Sequence, residues 1–421
     1  MNPKRQKLVR TLNKLFKTDI TYLVHGVGWL GGAKLLSSVF SFGLMVAFAN
    51  LLPAETYGTY SYVMAVISII VLTSLPGIDS AMARSVARGF GSSLFTAQRV
   101  RLRWSSIGAA ILLVIGSYYY YQGNMVLGIS FLVGGLLFPL FVSFAQFGSY
   151  LNGKKLFREL ALRQVTIKFL FAGTLGTALI FTDNVALLIA LNLGIIALTG
   201  IFFTRGIIST HKHELNTPKN EDFISYGKHL TVMSIFETTA KYLDKILLWH
   251  FFGPAQVAIW TFAYAPIQMA QGMVKKTLGP ISFPKFAQND FMQTKQQLPA
   301  KVGKLFVILV PFALVYILVA PFLFEYALSQ YTDAVIYSQV LVLLLLLIPL
   351  NFFSGFLLAQ ARKPDLYFIK VGFGLTSIFS LIVFIPLWGL WGAVTAQIIA
   401  WSVRGLLTCW FFARAASQKS I

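Results

Sequence analysis

The chain has 421 residues, 57% of them hydrophobic and only 12% charged, with a mean hydropathy of +0.71. A soluble domain of this length carries about twice that share of charge, so a water-facing globular fold is excluded and a polytopic, all-α membrane protein is implied. Cys409 is the single cysteine, which leaves no disulfide framework and no cysteine metal cluster.

Residues 1–21 are basic ("MNPKRQKLVRTLNKLFK") and set Leu8, Leu12 and Leu15 at helical spacing. They run into apolar sequence without a small-residue cleavage site. This reads as a retained basic segment lying on the inner leaflet, not a signal peptide.

A membrane crossing takes about 20 mostly apolar residues, and twelve such runs follow, at roughly 22–50, 57–75, 104–121, 125–147, 163–182, 185–204, 229–252, 257–278, 303–325, 335–359, 366–386 and 390–412. Six make a bundle over 22–204 and six a bundle over 229–412. Between them lies the longest hydrophilic stretch, 205–228, with "STHKHELNTPKNEDF", and 413–421 form a tail.

The loops test this count. Odd-numbered loops hold Glu55, Asp183, Glu325 and Asp333, with no Lys or Arg. Even-numbered loops hold Arg84, Arg88, Arg99, Arg101 and Arg103, then Lys154, Lys155 and Arg158, then Lys212 and Lys219. Lys285, Lys295, Lys301, Arg362 and Lys363 follow on that side. The bias predicts cytoplasmic termini. It makes the formal net charge of +21 a property of one membrane face, attracting anionic lipid and not nucleic acid.

The two halves echo each other. "LLPAETYGTYSYVMA" from Leu51 and "FFGPAQVAIWTFAYA" from Phe251 align without a gap, 200 residues apart. With six crossings each, the halves become parallel repeats about the membrane normal, and a site is expected at their interface.

The seventh run, "FETTAKYLDKILLW", is charged where lipid would forbid it. At 100° per residue Glu237, Lys241, Asp244 and Lys245 share an arc of about 100°. Each charge costs about 2.5–3.5 kcal/mol at the centre of a crossing, so the stripe has to face protein or water. One reading is a self-neutralising ladder, Glu237 with Lys241 and Lys241 with Asp244, gluing helices together. The other is the wall of a wet cavity. Further stripes favour the cavity: Lys34, Ser37, Ser38 and Ser41 in the first run, Tyr264, Gln268, Gln271 and Lys275 in the eighth, and Gln397, Trp401, Arg404 and Thr408 in the twelfth.

Such a lumen is cationic on balance. Lys34, Lys241, Lys245, Lys275 and Arg404 suit a phosphate or diphosphate, while Gln268, Gln271, Gln397 and the aromatic groups suit sugar hydroxyls and ring faces. Glu237 and Asp244 are candidates to take up a coupling ion, proton or sodium. Arg84 and Arg88 sit where a cytoplasmic mouth would lie. Lys168 and Lys370 lie near the inner surface and are expected to snorkel. The five histidines have no metal-ligand spacing, and no metal or cofactor is expected.

Three stretches carry a resemblance: "ANLLPAETYGTYSYVMAVISI", "GIDSAMARSVARG", and "YLDKILLWHFFGPAQVAIWTFAYAPIQMAQGMV" followed by "PISFPKFAQ". They resemble the polysaccharide-biosynthesis (Wzx-type) flippases of the multidrug/oligosaccharidyl-lipid/polysaccharide exporter superfamily. Asp244, Lys245 and Gly253 match the pattern of that family's seventh helix. Pro53, Glu55, Tyr57, Gly58 and Tyr60 match its first turn, and Arg84 its basic residue after the second helix. The resemblance implies a V-shaped pair of six-helix bundles with alternating access. It implies passage of an undecaprenyl-diphosphate-linked oligosaccharide from the inner to the outer leaflet of the bacterial cytoplasmic membrane, for surface polysaccharide such as O-antigen.

Two rivals remain. A glycan polymerase or glycosyltransferase needs activating carboxylates or a metal at a membrane face, and the short outer loops offer no close acid pair. A multidrug or ion-coupled antiporter exporting organic cations would want an acidic lumen.

Overall fold

Where no water reaches the backbone, each crossing has to satisfy its own N–H and C=O groups, and this chain does so with helices. A computed structural model describes residues 20–218, 220, 222–288, 291–359 and 363–417, without side chains at 20–27, 273–288, 291–295, 359, 363 and 416–417. Residues 1–19 of the expected basic segment lie outside the described residues.

In the first half, α1 (Ile20–Leu51) and α2 (Ala54–Ile70) cross in turn. A tighter turn, Val71–Ser74, then leads through Leu75, at φ 57°, into α3 (Gly77–Ala87). Next come α4 (Ser93–Tyr121), α5 (Met125–Ser143), the short α6 (Phe147–Gly153), α7 (Phe157–Phe181) and α8 (Val185–Thr210). Asparagines start two of them: Leu127 N donates to Asn124 Oδ1 and Leu187 N to Asn184 Oδ1, each at 3.1 Å.

The single turn α9 (Lys212–Leu215) precedes the second half. There α10 (Asp222–Phe252), α11 (Pro254–Gln288) and α12 (Phe291–Ala327) are long helices. Beyond them α13 (Val335–Leu341) continues through a tighter stretch, Val342–Leu350, into α14 (Asn351–Ala359). Last is α15 (Lys363–Ser417), which Gly389 breaks at φ 56°, ψ −124°. Its two arms fold back on each other, with Phe368 stacked on Phe411 and Phe373 edge-on to Trp401.

Among the described residues nine stretches are long and apolar enough to cross a membrane. They leave out α10, whose middle carries four ionisable side chains, and α11, and they count the two arms of α15 as one. Adding α10 and α11 and dividing α15 at Gly389 gives the twelve crossings expected. α7 and α12 are the least buried of the nine, and their exposed Phe169, Phe312 and Leu318 suit a lipid surface.

The halves meet along α2 and α3, which pack on α10 and α11. Two glycines let backbones touch. A Cβ at Gly58 would stand 1.8 Å from the carbonyl oxygen of Pro254, and one at Gly77 2.3 Å from that of Gly227. Gly77 N also donates to Thr231 Oγ1 at 3.0 Å.

At the end holding Glu55 and Asp333, the ring of Tyr57 stacks on Phe262, and Phe262 packs on Tyr331. Asn50 ties the same end together. Its Nδ2 donates to the Ala327 carbonyl at 2.8 Å, its Oδ1 accepts from Ser329 Oγ at 3.2 Å, and its carbonyl accepts from Gln330 Nε2 at 3.3 Å.

The stretch read as a linker over 205–228 is shorter and anchored. α8 runs on to Thr210 and α10 starts at Asp222, because polar residues end a crossing without ending a helix. The residues between dock on the first half. Lys154 Nζ pairs with Glu214 at 2.8 Å, Ser92 N donates to Thr217 Oγ1 at 3.0 Å, and Asn220 Nδ2 donates to Ser85 Oγ at 3.2 Å.

Two predictions follow from these contacts. Asn50→Ala removes the side-chain part of the tie, so spin-label distances between α1 and α12 at that end should lengthen and broaden; an unchanged distribution would remove Asn50 from the closure. The hydrogen bond from Lys154, with help from His211, holds the Glu214 carboxyl below the ordinary carboxylate range. Its contribution is therefore full above the unfolded value of about 4.3 and lost as pH falls through the lowered folded value. Glu214 is nearly half exposed, so the effect is below about 1 kcal/mol. Proteolytic cutting near 212–220 should rise on acidification, and Glu214→Gln should show the higher rate already at neutral pH.

Candidate functional site

Two of the four ionisable residues of α10, Glu237 and Lys241, line a cavity of about 240 Å³ built from α10, α11 and both arms of α15. Glu237, Ala240 and Lys241 come from α10, and Tyr264, Gln268, Gln271 and Gly272 from α11. Phe373 and Ser377 come from the first arm of α15, Gln397, Trp401 and Arg404 from the second. Helical spacing is what aims them: Gln268 and Gln271 follow Tyr264 at four and seven residues, and Trp401 and Arg404 follow Gln397 likewise.

Arg404 is the centre of this wall. Its guanidinium lies over the rings of Phe373, at 5.1 Å, and Trp401, at 5.3 Å, and pairs with Glu237 at a loose 3.8 Å. Two aromatic faces hold the cation while its N–H groups stay available to an acceptor. Lys241 Nζ donates to Tyr242 Oη at 3.2 Å and is exposed. Gln271 is 6% exposed, and its Nε2 has no hydrogen-bond acceptor among the described residues. Gln397 is also buried, with the Tyr264 hydroxyl 3.5 Å from its Oε1. A buried amide donor without a partner is costly, so the cavity is primed for an acceptor.

The structure thus gathers Glu237, Lys241, Gln268, Gln271, Gln397 and Arg404 on one cavity. The others go elsewhere. Asp244 is 1% exposed and turns to α11, accepting from Trp260 Nε1 at 2.8 Å and from Lys245 N at 2.7 Å. It fastens α10 to α11 and does not line the cavity. Lys245 does not line it either.

Lys34, half-buried on α1, is likewise absent from the lining, so the expected four-helix lumen does not take in the first crossing. The side chain of Lys275 lies outside the described residues. Arg84 stands over the ring of Tyr226 at 5.4 Å, and Arg88 is exposed at the end of α3.

Two expectations are corrected. The cavity is lined wholly by the second half, not by both halves. Nor is the stripe a ladder along one helix: the Glu237–Lys241 and Lys241–Asp244 pairs are absent among the described residues, and Glu237 reaches across to Arg404. Phe373 and Ser377 were not foreseen. Their four-residue spacing in "VGFGLTSIFS" is one polar group on an apolar helix, too little signal to separate from packing.

Comparison with known proteins fits this geometry. A sequence-family profile described as "Polysaccharide biosynthesis protein" matches residues 23–290. No curated protein sequence matches significantly.

Among solved structures, a multidrug resistance MATE family transporter of the MOP superfamily in an inward-facing conformation is 14% identical. It has a TM-score of 0.68, with 91% of this chain and 95% of that one covered. The lipid II flippase MurJ, in an inward closed conformation, is also 14% identical at a TM-score of 0.68, with 90% and 86% covered. A eukaryotic MATE transporter, AtDTX14, is 11% identical at 0.64, with 95% and 100% covered. These likenesses carry the fold, and the profile carries the family. The chain belongs to the polysaccharide biosynthesis protein family and is built on the multi-pass helical fold seen in the MATE and MurJ exporters.

Proposed function

We propose that the protein flips a diphosphate-linked, lipid-borne oligosaccharide from the inner to the outer leaflet of the bacterial cytoplasmic membrane, with its basic end in the cytoplasm. One observation carries this reading. The cavity pairs a ring-held guanidinium and a lysine with a row of amide side chains. Cations answer the diphosphate and amides answer sugar hydroxyls, and the family is one of polysaccharide biosynthesis.

The cavity, at about 240 Å³, has room for the diphosphate or a neighbouring ring but not for a whole glycan. The remaining sugars would lie outside it, toward the other half. Arg84 over Tyr226 marks the entry. Tyr226 and Glu237 share a face of α10, eleven residues or roughly 16 Å apart, so the anion would be handed from Arg84 up to Lys241 and Arg404. With the cell interior negative, moving two negative charges outward is favoured by about 4–5 kcal/mol per 100 mV.

When a phosphate takes Arg404, Glu237 loses its partner. Its carboxylate then faces the cavity with its charge uncompensated by Arg404, the place for a coupling cation. The coupling role therefore falls to Glu237. Asp244 keeps a structural one through Trp260.

Arg404→Gln and Lys241→Gln should each cut translocation of the lipid-linked oligosaccharide about 10-fold or more, the scale of one lost charge-assisted hydrogen bond. Outer-leaflet exposure of the glycan in proteoliposomes reads this out, with membrane levels of the protein unchanged. Normal transport by the double variant would sink the assignment. Glu237→Gln separates the coupling role: cargo binding persists, while the dependence of transport on an imposed proton or sodium gradient disappears. Asp244→Asn, by contrast, should lower thermal stability before it alters that dependence.

A further inference from the structure

A charged spot on the outer surface, away from the cavity, joins the two halves. The exposed face of α4 carries Trp104, Ile107, Ile111, Val114 and Tyr118, all large apolar or aromatic residues at helical spacing. It ends in Trp104 toward the basic end and in Tyr121 at the other, roughly 25 Å along the axis, about the thickness of the hydrocarbon. This is a lipid-facing stripe with an aromatic residue at each interface. On α10, Lys228, exposed Val232 and Ile235 make a matching stripe from the second half.

The two stripes meet at their basic ends. The ammonium of Lys228 lies over the indole of Trp104, 5.8 Å from the ring centroid, and exposed Arg103 precedes Trp104 at the edge of the same helical stripe of α4. The close approach of Gly77 to Gly227, with the hydrogen bond from Gly77 N to Thr231 Oγ1, fixes α3 against α10 and so holds Lys228 there. The nearest carboxylate of α3, Asp79, is already taken, accepting from Arg101 at 2.7 and 2.8 Å.

We propose that this seam is a binding site for the headgroup of an anionic phospholipid, which bridges Arg103 of the first half and Lys228 of the second. An ammonium held over an aromatic face keeps its N–H donors for a phosphate. Trp104 sits at the depth where the acyl chains give way to headgroups. The lipid's acyl chains lie along Ile107 and Val232, and its phosphate clasps the halves together at the basic end. A bound anionic lipid therefore favours the arrangement in which α3 and α10 are packed.

Native mass spectrometry of the full chain released from nanodiscs tests this, comparing phosphatidylglycerol mixed into phosphatidylcholine with phosphatidylcholine alone. The wild type should retain phosphatidylglycerol. The Arg103→Gln, Lys228→Gln double variant should retain at least about five-fold less, and Lys370→Gln, a cation elsewhere on the same side, as much as wild type. Equal retention by the double variant overturns the site, and so does equal retention of phosphatidylcholine. Displacement of the lipid by millimolar inorganic phosphate would also overturn it, since the site would then be one for free anions. The unfolding temperature of each variant separates lost binding from lost fold.

Discussion

A charge inside a membrane has to be answered by protein or by water, since lipid offers it nothing. In this chain α10 brings four ionisable groups into the hydrocarbon, and the packing of the second half follows from where each finds its partner. Asp244 is answered by the indole of Trp260 and draws α11 against α10. Glu237 is answered across the cavity by Arg404 and sets the distance to α15. Lys241 is left on the cavity wall, donating to the hydroxyl of Tyr242. One helix thus supplies both the fastening and the chemistry, and neighbouring turns divide the two tasks.

The contact between halves rests on a different principle. Without a hydrophobic drive between helices in lipid, close packing of small residues has to hold them. Gly58 against Pro254 and Gly77 against Gly227 are such places, one toward each end of the molecule. Around the first lie stacked aromatic rings and the hydrogen bonds of Asn50. Around the second lie Thr231 and the paired Lys228 and Trp104.

The cavity and the interface are therefore separate structures. The 240 Å³ pocket lies within the second half, while the halves touch along α2 and α3 against α10 and α11. A MATE transporter and a lipid II flippase share the fold at 14% identity. One frame thus carries different side chains, and here Arg404, Lys241 and three glutamines stand on the cavity wall.

Length, hydropathy and loop charge are local properties of the chain, so the all-helical multi-span class and the bias of charge between loops were legible without a structure, and the quoted motifs pointed to the family. The spacing also marked α1, α10, α11 and the last crossing as the ones with polar stripes, since a helical period is readable from spacing alone. Which of those stripes meet became visible in the packing of the helices alone. Lys34 lies on a stripe as regular as that of Arg404, yet it does not line the cavity, and Asp244, two turns beyond Glu237 on the same face, meets Trp260 instead. Spacing sets the angle of a side chain about its own axis. The partner it meets is set by how helices cross, and that depends on glycine contacts and ring packing hundreds of residues apart.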